Sequence, residues 1–139
     1  DTVETVHGRQ TLWPVHCVQD SDGAKLSDDL DASLIDFVVR KGTHSDCDSY
    51  SAFFSQAHVY ATELDEKLKA MGAQRLVLCG LALDVCVRAT ALDAVKLGYD
   101  VTVILDACRG IAPDSVATTL TELRDAGVHL EQSTTLARA

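Results

Sequence analysis

Alternation of apolar runs with segments of helical period is the feature that most constrains how this chain folds. The apolar runs cover residues 35–39, 76–79 and 101–105, and they are rich in β-branched side chains. Their length and composition predict strands, and runs with so few polar positions are typical of strands covered on both faces. A last short strand is predicted at residues 128–130.

Segments between and after these runs have the apolar spacing of helices. Each ends at a glycine, which readily takes the left-handed conformation that follows a helix C-terminus; the three are Gly72, Gly98 and Gly127. Pro113 marks the start of the third helix. Strands and helices that alternate with short connections predict a mainly parallel sheet with helices on both faces, a three-layer α/β/α, Rossmann-like fold.

The length of the chain favours one domain. Its 139 residues, 47% of them hydrophobic, suffice for one compact core, so we predict a single domain over residues 1–139. The formal net charge of −9 disfavours a surface that follows nucleic-acid phosphates. The expected partners are therefore small molecules or other proteins.

The cysteines indicate a reducing environment. They are odd in number, widely spaced and mostly set in apolar sequence, as is typical of intracellular thiols; the five are Cys17, Cys47, Cys79, Cys86 and Cys108. No apolar stretch approaches the roughly 20 residues that span a bilayer. The N-terminal sequence also has no signal-peptide pattern. We therefore expect a cytoplasmic protein without a membrane partner.

Cys86 lies where a predicted strand turns into a helix. The unpaired N–H groups at a helix start stabilise a thiolate, which makes this a favourable place for a nucleophile. The N–H groups of Ala82 and Cys86 are the natural pair to receive the oxygen of a tetrahedral intermediate. Position alone leaves a second interpretation open, since most free cysteines are small buried core residues.

Two polar side chains beside apolar sequence are further candidates. Lys41 follows the first apolar run, and it stabilises charge at the site only if the loop after it lies beside Cys86; otherwise it is a solvated strand end. His16 sits among apolar neighbours, where a core histidine is the common outcome, and it has no metal-binding spacing of its own. Residues 19–30 and 42–55 are rich in Asp, Ser and Gly and are predicted to be loops that build the site.

Three motifs in order resemble the isochorismatase-like cysteine hydrolases and, within that superfamily, the nicotinamidases. The first is similar to the family's nucleophile segment; it reads Gly80-Leu81-Ala82-Leu83-Asp84-Val85-Cys86-Val87. The second is similar to a segment peculiar to nicotinamidases; it reads Trp13-Pro14-Val15-His16-Cys17-Val18, with Gly23-Ala24 and Leu26 after it. The third resembles the family's lysine strand and the following loop; it comprises Arg40-Lys41-Gly42 and Asp48-Ser49-Tyr50-Ser51-Ala52-Phe53.

The resemblance implies an amidohydrolase whose small-molecule substrate is nicotinamide. It implies that Cys86 is the nucleophile, forming a thioester with release of ammonia and then of nicotinate, and that Lys41 supports charge at the site. It also implies a cis peptide bond between Leu81 and Ala82, with the Ala82 and Cys86 N–H groups forming the oxyanion hole.

The same resemblance implies a bound divalent metal, which is zinc, iron or manganese in the family. His16 would be one of its ligands, and the metal would contact the pyridine nitrogen of the substrate. Trp13 would form part of the aromatic wall of that pocket, with ordinary core packing as the alternative interpretation.

The sequence departs from the family pattern in two respects. The catalytic Asp and the Asp-x-His metal pair of the family come from strands that precede the part matched here. We therefore expect an N-terminally incomplete domain whose site is completed by a further N-terminal segment or by a companion chain. In addition, Leu83 stands where the family usually has Thr, which removes a hydroxyl beside the oxyanion hole.

Two alternative functions stay open at this point. The first is another isochorismatase-like amidase, acting on a carbamoyl or ureido compound. The second is a catalytically inactive subunit with a structural or assembly role, and the chain could also form a homo-oligomer.

Overall fold

Strands and helices alternate along residues 1–136, the part of the chain that this computed structural model describes. The strands are β1 (Thr2–Thr5), β2 (Gly8–Thr11), β3 (Arg75–Leu81), β4 (Asp100–Arg109) and β5 (His129–Glu131). The helices are α1 (Leu64–Ala70), α2 (Arg88–Lys96), α3 (Pro113–Asp125) and α4 (Ser133–Leu136). Three short 3-10 turns lie at Asp22–Ala24, Ala32–Leu34 and Gln56–His58.

The centre of the fold is a parallel sheet with the strand order β3, β4, β5. Helix α2 connects β3 to β4, and α3 connects β4 to β5. The strands predicted at residues 76–79, 101–105 and 128–130 and the three predicted helices are thus confirmed, as is the α/β fold class. Helix α3 begins at Pro113, whose fixed backbone torsion suits the first turn of a helix.

The strand predicted at residues 35–39 is wrong. Ile35 has an extended backbone, with φ −98° and ψ 114°, and residues 35–40 alternate between half-buried and exposed. A strand also needs hydrogen-bonded neighbours, and within the described chain this segment joins no sheet. The apolar run therefore indicated an extended backbone correctly, but it could not show whether a neighbouring strand was available for pairing.

An antiparallel hairpin of β1 and β2, at residues 1–11, was not predicted from the sequence. Thr2 pairs with Thr11 and Thr5 with Gly8, and Gly8 takes the positive φ of 100° that closes the turn. Most side chains of this hairpin are exposed, so the sequence shows no alternation of buried apolar positions.

The hydrophobic core lies under one face of the parallel sheet. Val101 and Val103 of β4 are 1% and 0% exposed and cluster with Ala91 of α2 and Leu123 of α3. Because adjacent parallel strands are joined by right-handed crossovers, α2 and α3 cover the same face. On the opposite face, Val77 of β3 is 54% exposed within the described chain. Helices α2 and α3 therefore form one helical layer, and neither of them forms the second layer that the sequence led us to expect.

The loop at residues 42–55 is held against this core. Phe53 is 1% exposed, and its ring stacks on that of Tyr99 at a centroid distance of 6.0 Å. Tyr99 in turn donates a 2.8 Å hydrogen bond to Asp65 of α1. The predicted loop is thus fixed in place.

None of the helices in residues 1–136 is long and apolar enough to cross a membrane.

Candidate active site

Cys86 lies just beyond the carboxyl end of β3. The peptide bond between Leu81 and Ala82 is cis, and the chain then makes one turn of π-helix, Leu83–Val87, that runs directly into α2. The carbonyl of Ala82 accepts hydrogen bonds from the N–H groups of Val85 and Val87 at 3.1 and 3.0 Å. Cys86 is half-buried within this turn, so its sulfur remains accessible.

The structure brings Lys41 to Cys86 across 45 residues of sequence. The ammonium nitrogen Nζ of Lys41 lies 3.6 Å from Sγ of Cys86, and it donates a 2.5 Å hydrogen bond to the carbonyl of Ser49. An ammonium group at this distance can donate a hydrogen bond to the sulfur. The two side chains together form a thiol and ammonium pair at the carboxyl end of β3.

The hydroxyl of Thr90 connects the turn that carries Cys86 to the loop that binds Lys41. It donates to the carbonyl of Cys86 at 2.7 Å and accepts from the N–H of Ala52 at 3.0 Å. Ser49, which accepts from Lys41, lies three residues before Ala52 on the same loop.

Trp13 joins the same loop through Tyr50. The indole N–H of Trp13 donates to the Tyr50 hydroxyl at 3.1 Å, while the Trp13 side chain stays 39% exposed. Burial raises the pKa of Tyr50, and its hydrogen bond with Asp48 acts in the same direction. A neutral Tyr50 therefore holds the indole next to the segment that positions Lys41.

Asp84 attaches the turn of Cys86 to the start of α3. Its carboxylate is 7% exposed and accepts the N–H groups of Ile111 at 2.9 Å and Ala112 at 3.3 Å. Burial by itself raises the pKa of this carboxyl, but the hydrogen bonds from Ile111, Ala112 and Ser115 outweigh it, and the net pKa is lowered. Asp84 is thus a buried anion that caps the adjoining helix start.

His16 is exposed and makes only a local contact. Its Nδ1 lies 2.6 Å from the carbonyl of Pro14, an arrangement that leaves Nε2 as the free nitrogen for a ligand. Residues 1–136 contain no group of three or more His, Cys, Asp or Glu side chains placed to bind a metal ion. The residues described here therefore fit one ligand of a metal site and do not form a complete one.

Sequence reasoning missed the roles of Thr90, Asp84 and Tyr50. Thr90 lies four residues after Cys86, a spacing that places both on one helix face, and this spacing was the available signal. Asp84 contacts the start of α3, which lies 29 residues further along the chain, and nothing local in the sequence indicates that contact.

Comparison with known proteins gives consistent matches over nearly the whole chain. The family model described as the isochorismatase domain matches residues 3–135. A nicotinamidase of Escherichia coli is 46% identical over 123 residues, covering 87% of this chain and 58% of that protein. The chain thus spans somewhat more than half the length of that curated relative.

Solved structures agree with this. The nicotinamidase and pyrazinamidase of Acinetobacter baumanii superposes with a TM-score of 0.91 at 41% identity, covering 98% of this chain and 66% of that one. The pyrazinamidase of Pyrococcus horikoshii, solved in complex with zinc, has a TM-score of 0.75 at 36% identity, covering 87% and 63%. With its parallel sheet, its cysteine turn and the family match over residues 3–135, the chain belongs to the isochorismatase-like hydrolase superfamily.

Proposed function

We propose that the protein is a nicotinamidase, which converts nicotinamide and water to nicotinate and ammonia. The observation that carries this proposal is the 3.6 Å contact between Lys41 Nζ and Cys86 Sγ at the carboxyl end of β3. Ligand sites of α/β proteins gather at this edge of the sheet. The 46% identity to a nicotinamidase supports the choice of substrate.

In the first half of the reaction, Sγ of Cys86 attacks the carboxamide carbon. A C–S bond forms, and the carbonyl oxygen takes the negative charge towards the N–H groups of Ala82 and Cys86. The C–N bond then breaks, and the nitrogen leaves as ammonia after it receives the proton that the thiol lost. Lys41 stabilises the thiolate before the attack, through the contact already described.

In the second half, water attacks the thioester carbon and the C–S bond breaks. Nicotinate and the regenerated Cys86 thiol are the products of this half, and the one remaining proton is released or converts ammonia to ammonium, so atoms and charges balance over the cycle. Moving a proton at each step needs a base. We assign this role, as the family resemblance implies, to a carboxylate outside residues 1–139, on a further N-terminal segment or a companion chain. On this proposal residues 1–139 form part of a single domain.

Two residues are assigned to substrate binding. Trp13, held by Tyr50, supplies part of the aromatic wall for the pyridine ring. His16 supplies one ligand of a divalent metal through Nε2, while Nδ1 keeps its contact with the Pro14 carbonyl, an outer contact typical of metal-binding histidines. When bound, the metal would hold the ring nitrogen of the substrate; a solved pyrazinamidase of similar fold contains zinc.

The cysteines support the proposed location in the cytoplasm. All five are free thiols, including the exposed Cys17 and Cys79 and the buried Cys47 and Cys108. Free thiols persist in reducing compartments. Cys86 in particular needs such a compartment to act as a nucleophile.

The proposal is tested by ammonia release from nicotinamide, with and without a chelator, using the protein together with the N-terminal segment or companion chain that carries the base. Cys86→Ala should abolish turnover, and intact mass spectrometry of the active protein mixed with substrate should detect a nicotinoyl adduct on Cys86. Cys79→Ala is the matched control, because Cys79 is an exposed thiol on β3.

If folded protein that includes the base-carrying segment or chain, supplied with zinc, iron or manganese, releases no ammonia and forms no adduct, the proposal is disproved. Faster release from N-carbamoyl compounds than from nicotinamide would replace it with the other amidase activity.

A further inference from the structure

We propose that Thr90 is a positioning residue whose hydroxyl sets the spacing between the Cys86 sulfur and the Lys41 ammonium group. The inference rests on the proposed function, because it names a residue that acts through the nucleophile. Thr90 is not itself a catalytic residue, since both of its hydrogen bonds go to the backbone.

The Thr90 hydroxyl is used as both donor and acceptor. Its hydrogen goes to the carbonyl of Cys86 at 2.7 Å, and its oxygen receives the N–H of Ala52 at 3.0 Å. A hydroxyl is the smallest side-chain group that can serve two backbone partners in this way. It therefore acts as a bridge between two segments that lie 38 residues apart along the chain.

These contacts form a closed ring around the site. From Cys86 the ring passes through Thr90 to Ala52, along the loop to Ser49, and through the Ser49 carbonyl to Lys41. The 3.6 Å contact from Nζ to Sγ closes it. Because each link is short, the position of the ammonium group relative to the sulfur depends on the Thr90 bridge.

The loop keeps other anchors when the bridge is removed. The carbonyl of Ala52 accepts a 2.6 Å hydrogen bond from the Thr62 hydroxyl, and Phe53 is 1% exposed in the core. A variant without the Thr90 hydroxyl should therefore fold, with its loop displaced at the end nearest Cys86. A small displacement of a reacting group can lower a rate considerably while substrate binding is retained.

An ordinary helix contact is the alternative explanation for Thr90. Threonine hydroxyls commonly bond the carbonyl four residues earlier in the same helix. Thr118 does so in α3, where its hydroxyl donates to the carbonyl of Asp114 at 3.0 Å from an exposed position. Thr118→Val is thus a matched control: it removes the same kind of bond from a helix but breaks no bridge between segments.

The experiment compares Thr90→Val, Thr90→Ser and Thr118→Val in the protein completed by its base-carrying segment or chain, with nicotinamide as substrate. Thr90→Val should lower kcat about tenfold while KM changes less than about twofold, since the bridge acts on the reacting groups rather than on binding. Thr90→Ser keeps the hydroxyl and should restore most of kcat. Thr118→Val should match the unmodified protein.

A second measurement does not depend on the substrate. The rate at which iodoacetamide alkylates Cys86, followed by peptide mass spectrometry, should fall about threefold in Thr90→Val, because Lys41 is less well placed to stabilise the thiolate. If Thr90→Val unfolds, Thr90→Ala removes the hydroxyl without adding a methyl group at that position and takes its place in both assays.

Two results would overturn the inference. One is a Thr90→Val variant equal to Thr118→Val in both kcat and alkylation rate; the other is a Thr90→Ser variant as impaired as Thr90→Val. If no variant and no unmodified protein releases ammonia, the proposed function fails. The alkylation rates then decide the role of Thr90 on their own.

Discussion

Replacement of Asp84 by asparagine tests how firmly the turn of Cys86 is attached to the rest of the domain. The carboxylate accepts the N–H groups of Ile111 and Ala112 at 2.9 and 3.3 Å in a site that is 7% exposed. Asparagine keeps one oxygen for one of these donors. Its amide NH2 then faces the other donor, and the negative charge is lost.

The expected loss of stability follows from these contacts. One hydrogen bond to a charged acceptor disappears and one partly buried N–H loses its acceptor, which together cost about 2–3 kcal/mol of unfolding free energy. Asp114→Asn is the matched control, since Asp114 is an exposed carboxylate in the first turn of α3. It should cost at most about 1 kcal/mol, through its interaction with the helix dipole.

The difference should also depend on pH. The pKa of Asp84 is lowered from an ordinary value of 3.8, so its contribution is present above that pH and is lost as the pH falls through the folded-state pKa. Urea unfolding of both proteins at pH 7, and at several values below 4, measures this difference. A gap between Asp84→Asn and the unmodified protein that is absent at pH 7, or unchanged in acid, would refute the reasoning.

Three further predictions concern the site and the core. Lys41→Met should slow alkylation of Cys86 by iodoacetamide about threefold. The Lys41 ammonium group lies 3.6 Å from the sulfur, and its attraction to a negative charge there is about 1 kcal/mol even at the dielectric constant of water. Val103→Ala, at a position that is 0% exposed, should lower the unfolding free energy by about 2 kcal/mol in urea titrations. Tyr99→Phe should cost about 1 kcal/mol at pH 8 through the lost bond to Asp65. Burial and the hydrogen bond to Asp65 raise the pKa of Tyr99 to about 12, from a value near 10 in the unfolded chain. The stability that the neutral Tyr99 hydroxyl contributes is therefore complete below pH 10 and is lost as the pH rises towards 12. Tyr99→Phe should remove this part of the decline in stability at high pH.

Controls for these variants lie elsewhere on the chain. Alkylation of the exposed Cys79 in the same sample should not respond to Lys41→Met. Val6→Ala, at an 88% exposed position, should leave the urea midpoint unchanged. Equal effects at the test and control positions would contradict the corresponding explanation.

The parallel core of the fold was predictable because burial leaves a pattern in the sequence. Residues 101–105 are all buried or half-buried and therefore form a mostly apolar run, while the helices carry apolar positions on one face. The hairpin at residues 1–11 leaves no such pattern, since both of its faces are largely exposed. The run at residues 35–39 has a strand-like pattern but no neighbour to pair with in the described chain.

The site was predictable to the extent that its residues belong to local motifs. Cys86 became a candidate through its position at a helix start together with the family resemblance, and Lys41 became a candidate on the condition that a loop brought it beside Cys86, as the structure does. The bridge of Thr90 to Ala52 was not predictable, because it joins residues 38 positions apart through backbone groups that carry no sequence signal. The role of His16 as a metal ligand stays a prediction.

Gly110 shows how a position outside the Cys86 turn can determine the geometry of that turn. A Cβ atom there would overlap Cγ2 of Val116 and approach Oδ1 of Asp84 to 3.2 Å. A residue with a Cβ atom there must displace the Val116 side chain or the beginning of α3, which alters the surroundings of the Asp84 carboxylate, two positions before Cys86. Under the proposed function, screens for loss of activity should therefore recover variants at this glycine whose defect is architectural and not the loss of a reactive group.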